Sequence, residues 1–230
     1  MNGYCYDLHV HTKESSACGA RTGAEQAEEA FRSGYAGIVI TDHFFNGNTA
    51  VSADLPWEER VRGLCAGYES ARKKGEELGL DVLFGWEYSY FGTDFITLGL
   101  GTDWLLEHPD VLSWPPEEYL DRVRAEGAYV IHAHPFREAW YVKAIRLMPT
   151  RVDAVEIVNT SHEDAAFNRR AKWYAEEFGL TAVGGSDAHY PGCIQGGVYL
   201  KERVRTVDEL IGQLRGGGVL GVKEKIMKKD

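Results

Sequence analysis

The strongest constraint on this chain is an alternation along its length: short apolar runs take turns with longer amphipathic stretches. Gly37-Ile38-Val39-Ile40-Thr41 is a continuous apolar run, the pattern of a strand covered on both faces. Tyr4–His9, Val82–Glu87, Ala128–His132, Ala154–Val158 and Thr181–Gly184 read as further strands. Phe95–Leu100 reads as a strand that could pair with Val82–Glu87 as a hairpin, and Val219–Val222 as a final one. Between them lie helical stretches with recognisable ends. Thr22 can N-cap a helix through about Ser33, with Gly34 closing it. Pro56 opens a stretch to about Leu78, stopped by Gly79. Others run from Pro115-Pro116 to about Glu126, from about Glu163 to Phe178, and on from a Thr206 cap. About seven strand–helix units imply parallel strands with right-handed crossovers, and they favour a distorted (β/α)7 barrel over an open sheet. No linker or composition shift divides residues 1–230, so one domain is expected, with Lys223–Asp230 as a charged peripheral tail.

A chain of 230 residues with 44% hydrophobic residues can bury a sizeable core. Its net charge of −10 argues against a basic surface for nucleic acid or anionic membranes. It does not argue against a local cationic site, because bound metal ions invert the charge where they sit. Cys5, Cys18, Cys65 and Cys193 show no Cys-x-x-Cys spacing and read as reduced thiols. The first residues lack the pattern of a signal peptide, and no apolar run is long enough to cross a bilayer. The expected location is the cytoplasm.

Polar clusters stand at the ends of these strands. His9 and His11 end the first, and Asp42-His43 follows Ile38–Thr41. Glu87 follows Leu83–Trp86, His132 and His134 follow Tyr129–Ile131, Glu156 and Asn159 end the strand from Ala154, and Asp187 and His189 follow Val183–Ser186. In a parallel barrel the C-terminal strand ends share one rim, and that rim carries the active site. Imidazoles and carboxylates, with no thiolate among them, suit divalent ions such as Zn²⁺, Mn²⁺ or Fe²⁺, and they outnumber what one ion can use. A carboxylate such as Glu87 could bridge two ions about 3.5–4 Å apart, a device used in phosphate-ester cleavage.

The segments Asp7-Leu8-His9-Val10-His11-Thr12, Thr41-Asp42-His43, Gly85-Trp86-Glu87, His134-Pro135 and Gly185-Ser186-Asp187-Ala188-His189 resemble the ordered motifs of the PHP (polymerase and histidinol phosphatase) superfamily. The resemblance implies a distorted seven-stranded (β/α) barrel with a centre of two or three metals. It also implies a phosphoesterase, since most stand-alone members hydrolyse phosphate esters of small molecules or nucleotides. Carried over by motif, His9, His11, Glu87 and Asp187 would hold a first ion. Glu87 would bridge to a second held also by His134, and His43 and His189 would hold a third. Asp42 would orient rather than ligate. The chain departs from the family pattern at two places. Members often carry an Asp or His a few residues after the His-x-His pair, where this chain offers Glu14 within Lys13–Gly19. Members also often carry a His on the strand after the bridging Glu, where this chain offers Asp94.

The activity expected from this set is hydrolysis of a small phosphomonoester or nucleotide-type phosphoester by a metal-activated water. Arg137 is expected to grip the phosphate, with Lys13 a weaker candidate, and His132 or His189 to protonate the leaving group. Two other classes stay open: a metal-binding module without turnover, and a metal-dependent amide or lactone hydrolase. His108 and His162 lie in polar, loop-like surroundings and are not expected among the ligands.

Overall fold

The computed structural model describes residues 3–225. The last residues of the charged tail, 226–230, lie outside the described residues, and Lys223 ends a strand. In chain order the elements are β1 (Tyr4–Val10), α1 (Gly23–Arg32), β2 (Gly37–Ile40), α2 (Trp57–Leu78), β3 (Asp81–Tyr90), β4 (Thr93–Leu98), α3 (Thr102–Glu107), α4 (Pro116–Ala125), β5 (Tyr129–Ala133), β6 (Ala154–Asn159), α5 (Ala165–Phe178), β7 (Thr181–Gly185), β8 (Gly197–Leu200), α6 (Val207–Arg215) and β9 (Val219–Lys223). No described helix is long and apolar enough to cross a membrane.

Local chemistry sets most of these ends. Thr22 caps α1 through the Glu25 N–H, and the Glu25 side chain answers to the Thr22 backbone, a reciprocal capping box. Asp164 and Thr206 cap α5 and α6 by the same side-chain acceptance. Gly79 and Gly179 end α2 and α5 in the left-handed conformation.

The nine strands form one sheet, ordered β7-β6-β5-β4-β3-β2-β1-β8-β9, which curls into a nearly closed mixed barrel. The parallel pairing expected from the alternation holds in two blocks, β1-β2-β3 and β5-β6-β7. β4 joins the blocks and runs antiparallel to both neighbours. The reason is the two-residue turn Phe91-Gly92, both at positive φ, which makes a tight hairpin and leaves no chain for a crossover. β8 and β9 continue the sheet beyond β1 as antiparallel strands. The barrel closes at one rim, where the His11 N–H donates to Ala188 O at 3.1 Å and the Ala188 N–H to His9 O at 3.3 Å. α3 and β8 have no counterpart in the sequence pattern.

Inside the barrel Tyr6, Leu8, Val39, Leu83, Ile96, Ile131 and Val183 form a core that α6 joins with Leu210, Ile211 and Leu214. Outside, Cys5, Val10, Ile38 and Ile40 pack with Ala27 and Ala30 of α1. Strand alternation should keep these faces separate along each strand. In β1 it breaks: Tyr6 pairs with Gly37 and Asp7 with Ile38, but Val10 pairs with Ile40. One extra residue is therefore inserted in β1, a bulge that switches the inward set from Tyr6 and Leu8 to His9 and His11. β6 carries the same irregularity between Glu156 and Val158, and it turns Asn159 inward with Glu156.

β5 keeps its alternation, and this corrects one expectation. Tyr129, Ile131 and Ala133 face the interior, so His132 faces out. Its ring is fully buried between Phe95 and Tyr174, and neither nitrogen has a hydrogen-bond partner. Burial, with the His134 charge adding to it, lowers its pKa to about 3, so the ring is neutral and is not a proton donor on the rim. His132 and His134 part company because His134 lies beyond the strand at φ 29.

The helical layer meets the rim through a close approach. A Cβ on Gly67 of α2 would lie 1.9 Å from Thr12 Oγ1 and 2.7 Å from Asp42 Oδ2. Only glycine lets α2 sit against this pair without displacing it. Gly67→Ala is expected to destabilise the fold by about 1–3 kcal/mol, read as a lower denaturation midpoint in urea; an unchanged midpoint would show that α2 is free to shift.

Candidate metal centre

The bulge in β1 and the regular alternation of β3 aim His9, His11 and Glu87 at one point inside the rim. His9 Nε2 lies 3.0 Å from His11 Nε2 and 3.2 Å from Glu87 Oε1. Two segments in the left-handed region complete the group: His134 (φ 29) and Asp187 (φ 53). Non-glycine residues adopt such backbone only where the surrounding structure imposes it, and these positions cluster at functional sites. His134 Nε2 comes to 3.1 Å from Glu87 Oε1, and Asp187 Oδ1 lies 3.3 Å from His11 Nε2 and 3.6 Å from His9 Nε2. The other Glu87 oxygen, Oε2, is 2.8 Å from His43 Nδ1.

Three overlapping groups could each hold an ion: His9 with Glu87 and His134, His9 with His11 and Asp187, and His11 with His43 and His189. The first two are buried, whereas His43 and His189 are partly open to solvent and mark the mouth. The fit to divalent ions rests on the donors themselves. His9 Nε2 and His11 Nε2 face each other, and two facing ring nitrogens can share at most one proton between them. Carboxylate oxygens converge on the same point, a set that a cation satisfies.

Behind this group stands a layer of buried partners. Glu156 Oε1 lies 3.0 Å from His9 Nδ1, so the imidazole turns Nε2 inward, and Glu156 Oε2 accepts the His134 N–H at 2.9 Å. Ser16 Oγ is 3.1 Å from His11 Nδ1 and donates to Asp42 Oδ1 at 2.6 Å. Asp42 itself accepts from the Thr12 N–H and hydroxyl, at 2.6 and 2.7 Å, and orients this corner without joining the ligand groups. Arg137 pairs with Asp187 Oδ2, and Ser161 Oγ donates to the same oxygen at 3.2 Å, which leaves Oδ1 facing the imidazoles.

Electrostatics separate the groups by role. Burial opposes ionisation of Glu87, yet His9 and His43 hold it well below the usual carboxylate range. Burial likewise opposes charge on Asp187, and Arg137 and His9 overcome it. His9 is pushed well above the usual imidazole value because Glu156, Asp187 and Glu87 outweigh its burial, and His43 rises for the same reason beside Glu87. His11 goes the other way, lowered by burial and then by the charges of His189 and His43.

Residues 165–219 match the family described as PHP-associated. Over 174 residues the chain is 29% identical to an uncharacterized protein of Methanocaldococcus jannaschii, an overlap of 72% of this chain and 87% of that one. A two-domain protein of Bacteroides vulgatus, containing a predicted PHP-like metal-dependent phosphoesterase, superposes on 97% of this chain with a TM-score of 0.73 and 17% identity. The chain shares the fold of that protein. It spans 65% of the Bacteroides protein. An amidohydrolase of Chromobacterium violaceum, solved with bound sulfate and no metal, has a TM-score of 0.59 and 16% identity, over 94% of this chain and 97% of that one.

Within this barrel most of the residues singled out in the sequence meet: His9, His11, His43, Glu87, His134, Asp187 and His189 all fall in the three groups that could hold an ion. Glu14 does not, and that expectation is corrected. Both of its carboxylate oxygens accept the Gly23 N–H at 3.1 Å, because the helix α1 N-terminus offers free N–H donors nearby. Asp94 does come close, with Oδ2 3.9 Å from His134 Nε2; the antiparallel β4 starts at the rim where the parallel strands end. As expected from the sequence, none of the three groups among the described residues includes a thiolate. Cys18 lies beside His189 and His43 at the mouth. Burial would raise its thiol, but these two rings bring it down to about 6. His162 lies closer than its polar surroundings suggest, its ring centroid 6.3 Å from that of His134 and its Nε2 3.4 Å from Arg137 Nε. His108 is remote, stacked on Trp104.

Two measurements test this arrangement. The raised pKa values of His9 and His43 mean that both rings carry protons at neutral pH without metal, and an ion must displace them. Metal affinity is therefore expected to climb as pH rises above the ordinary imidazole range, with protons released on binding. Titration calorimetry in buffers of different ionisation enthalpy would show this, and heats independent of buffer would contradict it. Glu156→Gln removes the charge that turns His9 inward and is expected to weaken metal binding about 10–100-fold, measured by competition with a chromophoric chelator.

Proposed function

We propose that the chain is a metal-dependent phosphoesterase that hydrolyses a small phosphomonoester or nucleotide-type phosphoester. The observation that carries this reading is the position of Glu87, one carboxylate oxygen toward His9 and His134 and the other toward His43. A carboxylate so placed can bridge two ions. His9, His11, Glu87 and Asp187 would hold the first ion, and Glu87, His134 and Asp94 the second. His43 and His189, with His11 beside them, would hold a third. Bound divalent ions supply a water acidic enough to attack at neutral pH, and positive charge against the phosphoryl oxygens.

The chain's own residues do the rest. Glu156 and Ser16 fix the rings of His9 and His11, and Arg137 fixes Asp187. Arg137 and Lys143, with Glu138, line an open cleft of about 510 Å³, and Arg137 connects it to Asp187. In a two-ion centre His189 is free to protonate the leaving oxygen; in a three-ion centre it is a ligand. Support also comes from the Bacteroides vulgatus protein that shares the fold and contains a predicted PHP-like metal-dependent phosphoesterase. The amidohydrolase among the structural neighbours keeps amide or lactone hydrolysis as a second reading.

Metal-loaded protein is expected to hydrolyse members of a panel of phosphomonoesters and nucleotides, to lose that activity in excess chelator, and to regain it with Mn²⁺ or Zn²⁺. Glu87→Gln should remove both turnover and bound metal, read by elemental analysis. Undiminished hydrolysis in chelator, by protein shown to contain no metal, would overturn the reading; turnover of amides or lactones alone would favour the second.

A further inference from the structure

Two of the three guanidinium nitrogens of Arg137 are held by neighbouring side chains. Nη2 pairs with Asp187 Oδ2 and donates to Ser161 Oγ at 3.1 Å, and Nε donates to His162 Nε2 at 3.4 Å. Among the described residues Nη1 has no partner, and Arg137 lines the open cleft. We propose that His162 is a positioning residue: it holds the guanidinium at Nε, so that Nη1 is presented to an anionic oxygen of a substrate in the cleft.

The role of the ring follows from its own partners. The Asn159 N–H donates to Asn168 Oδ1 at 3.2 Å, and Asn168 Nδ2 donates to Asn159 O at 3.2 Å. Both partners are backbone groups with fixed roles, so the oxygen and nitrogen of the Asn168 amide are assigned. Oδ1 lies 2.9 Å from His162 Nδ1, and an amide oxygen only accepts, so Nδ1 carries the ring proton. A guanidinium only donates, so the Nε2 that faces Arg137 is the lone pair. His162 is thus a neutral acceptor whose tautomer Asn168 sets. Asn168 stands in α5, and the Asn159 side chain donates to Glu156 Oε2 at 3.0 Å. One chain of contacts therefore runs from α5 through His162 and Arg137 to Asp187.

A guanidinium held at Nη2 alone could still turn about that nitrogen. The contact at Nε is the second point that fixes its plane, and with it the direction of Nη1. None of the three groups that could hold an ion includes His162. Loss of the ring is therefore expected to weaken the binding of an anion and to leave metal binding intact. The inference rests on the phosphoesterase reading above, but its test needs no turnover.

Inorganic phosphate is the probe, titrated by calorimetry into the zinc-loaded protein. His162→Phe keeps a ring in the space and removes the acceptor. It should weaken phosphate binding about 10-fold while the zinc content, by elemental analysis, stays at the wild-type value. His162→Gln, whose carbonyl oxygen can accept from Arg137, should recover most of the affinity, which a ring needed only for packing would not show. With a phosphomonoester that is turned over, His162→Phe should raise KM by the same factor and leave kcat within about twofold. As a check on the wild-type ring, nitrogen-15 spectra of the histidines should show Nδ1 of His162 protonated and Nε2 bare at neutral pH, the signals being assigned by their loss in His162→Gln. Phosphate bound as tightly by His162→Phe as by the wild type, zinc lost from that variant, or a proton on Nε2 overturns the inference and leaves the phosphoesterase reading standing. A zinc-loaded wild-type protein that neither binds phosphate nor hydrolyses any phosphoester overturns both.

Discussion

Two backbone hydrogen bonds, from the His11 N–H to Ala188 O and from the Ala188 N–H to His9 O, close the barrel at one rim. They run between the residues of the His-x-His pair and the residue between Asp187 and His189. The seam of the sheet and the centre of the site are therefore the same place. Barrel closure aligns the first strand with the segment after the seventh, and four ligand-bearing positions come together as a result. Every other contribution to the site is arranged around that line. Glu87 arrives from β3, His134 from the end of β5, and Glu156 from β6 behind His9.

Concentrating these groups carries an electrostatic cost. Glu87, Asp94, Glu156 and Asp187 are all buried within one rim, and buried like charges disfavour each other. The opposing charges come from Arg137 on the far oxygen of Asp187 and from protonated His9 and His43, whose ring nitrogens an ion would take instead. The imidazoles thus act as placeholders. Protons and divalent ions compete for one set of lone pairs, and the balance of charge that stabilises the empty cluster also sets how hard it is to fill.

The alternation and the caps were legible because they are local: Thr22, Gly79, Asp164 and Thr206 each act on their own helix end. The rim residues were legible because the strand-end rule needs only sequence order. What could not be read depends on departures from regular geometry. Alternation puts His132 and His134 on one face, and only a left-handed φ at His134 separates them. A carboxylate in the right interval, Glu14, looks like a ligand until the helix N-terminus beside it is seen. Asp94 gains its place from the reversed direction of β4, and Cys18 from a loop held at both ends by backbone hydrogen bonds. Neither cause leaves a mark in the pattern of apolar residues.

The extra residue in β1 reaches further than its local kink. Below it, the odd-numbered side chains of the strand face the helical layer, as Cys5 does; above it they face the interior, as His9 and His11 do. The centre is thus specified by a phase as much as by the letters of a motif. A chain with the same His-x-His and one residue fewer in that strand would turn both rings into the packing beneath α1 and present an apolar side chain at the rim. Two homologues could then match at every ligand and differ in whether they have a site at all.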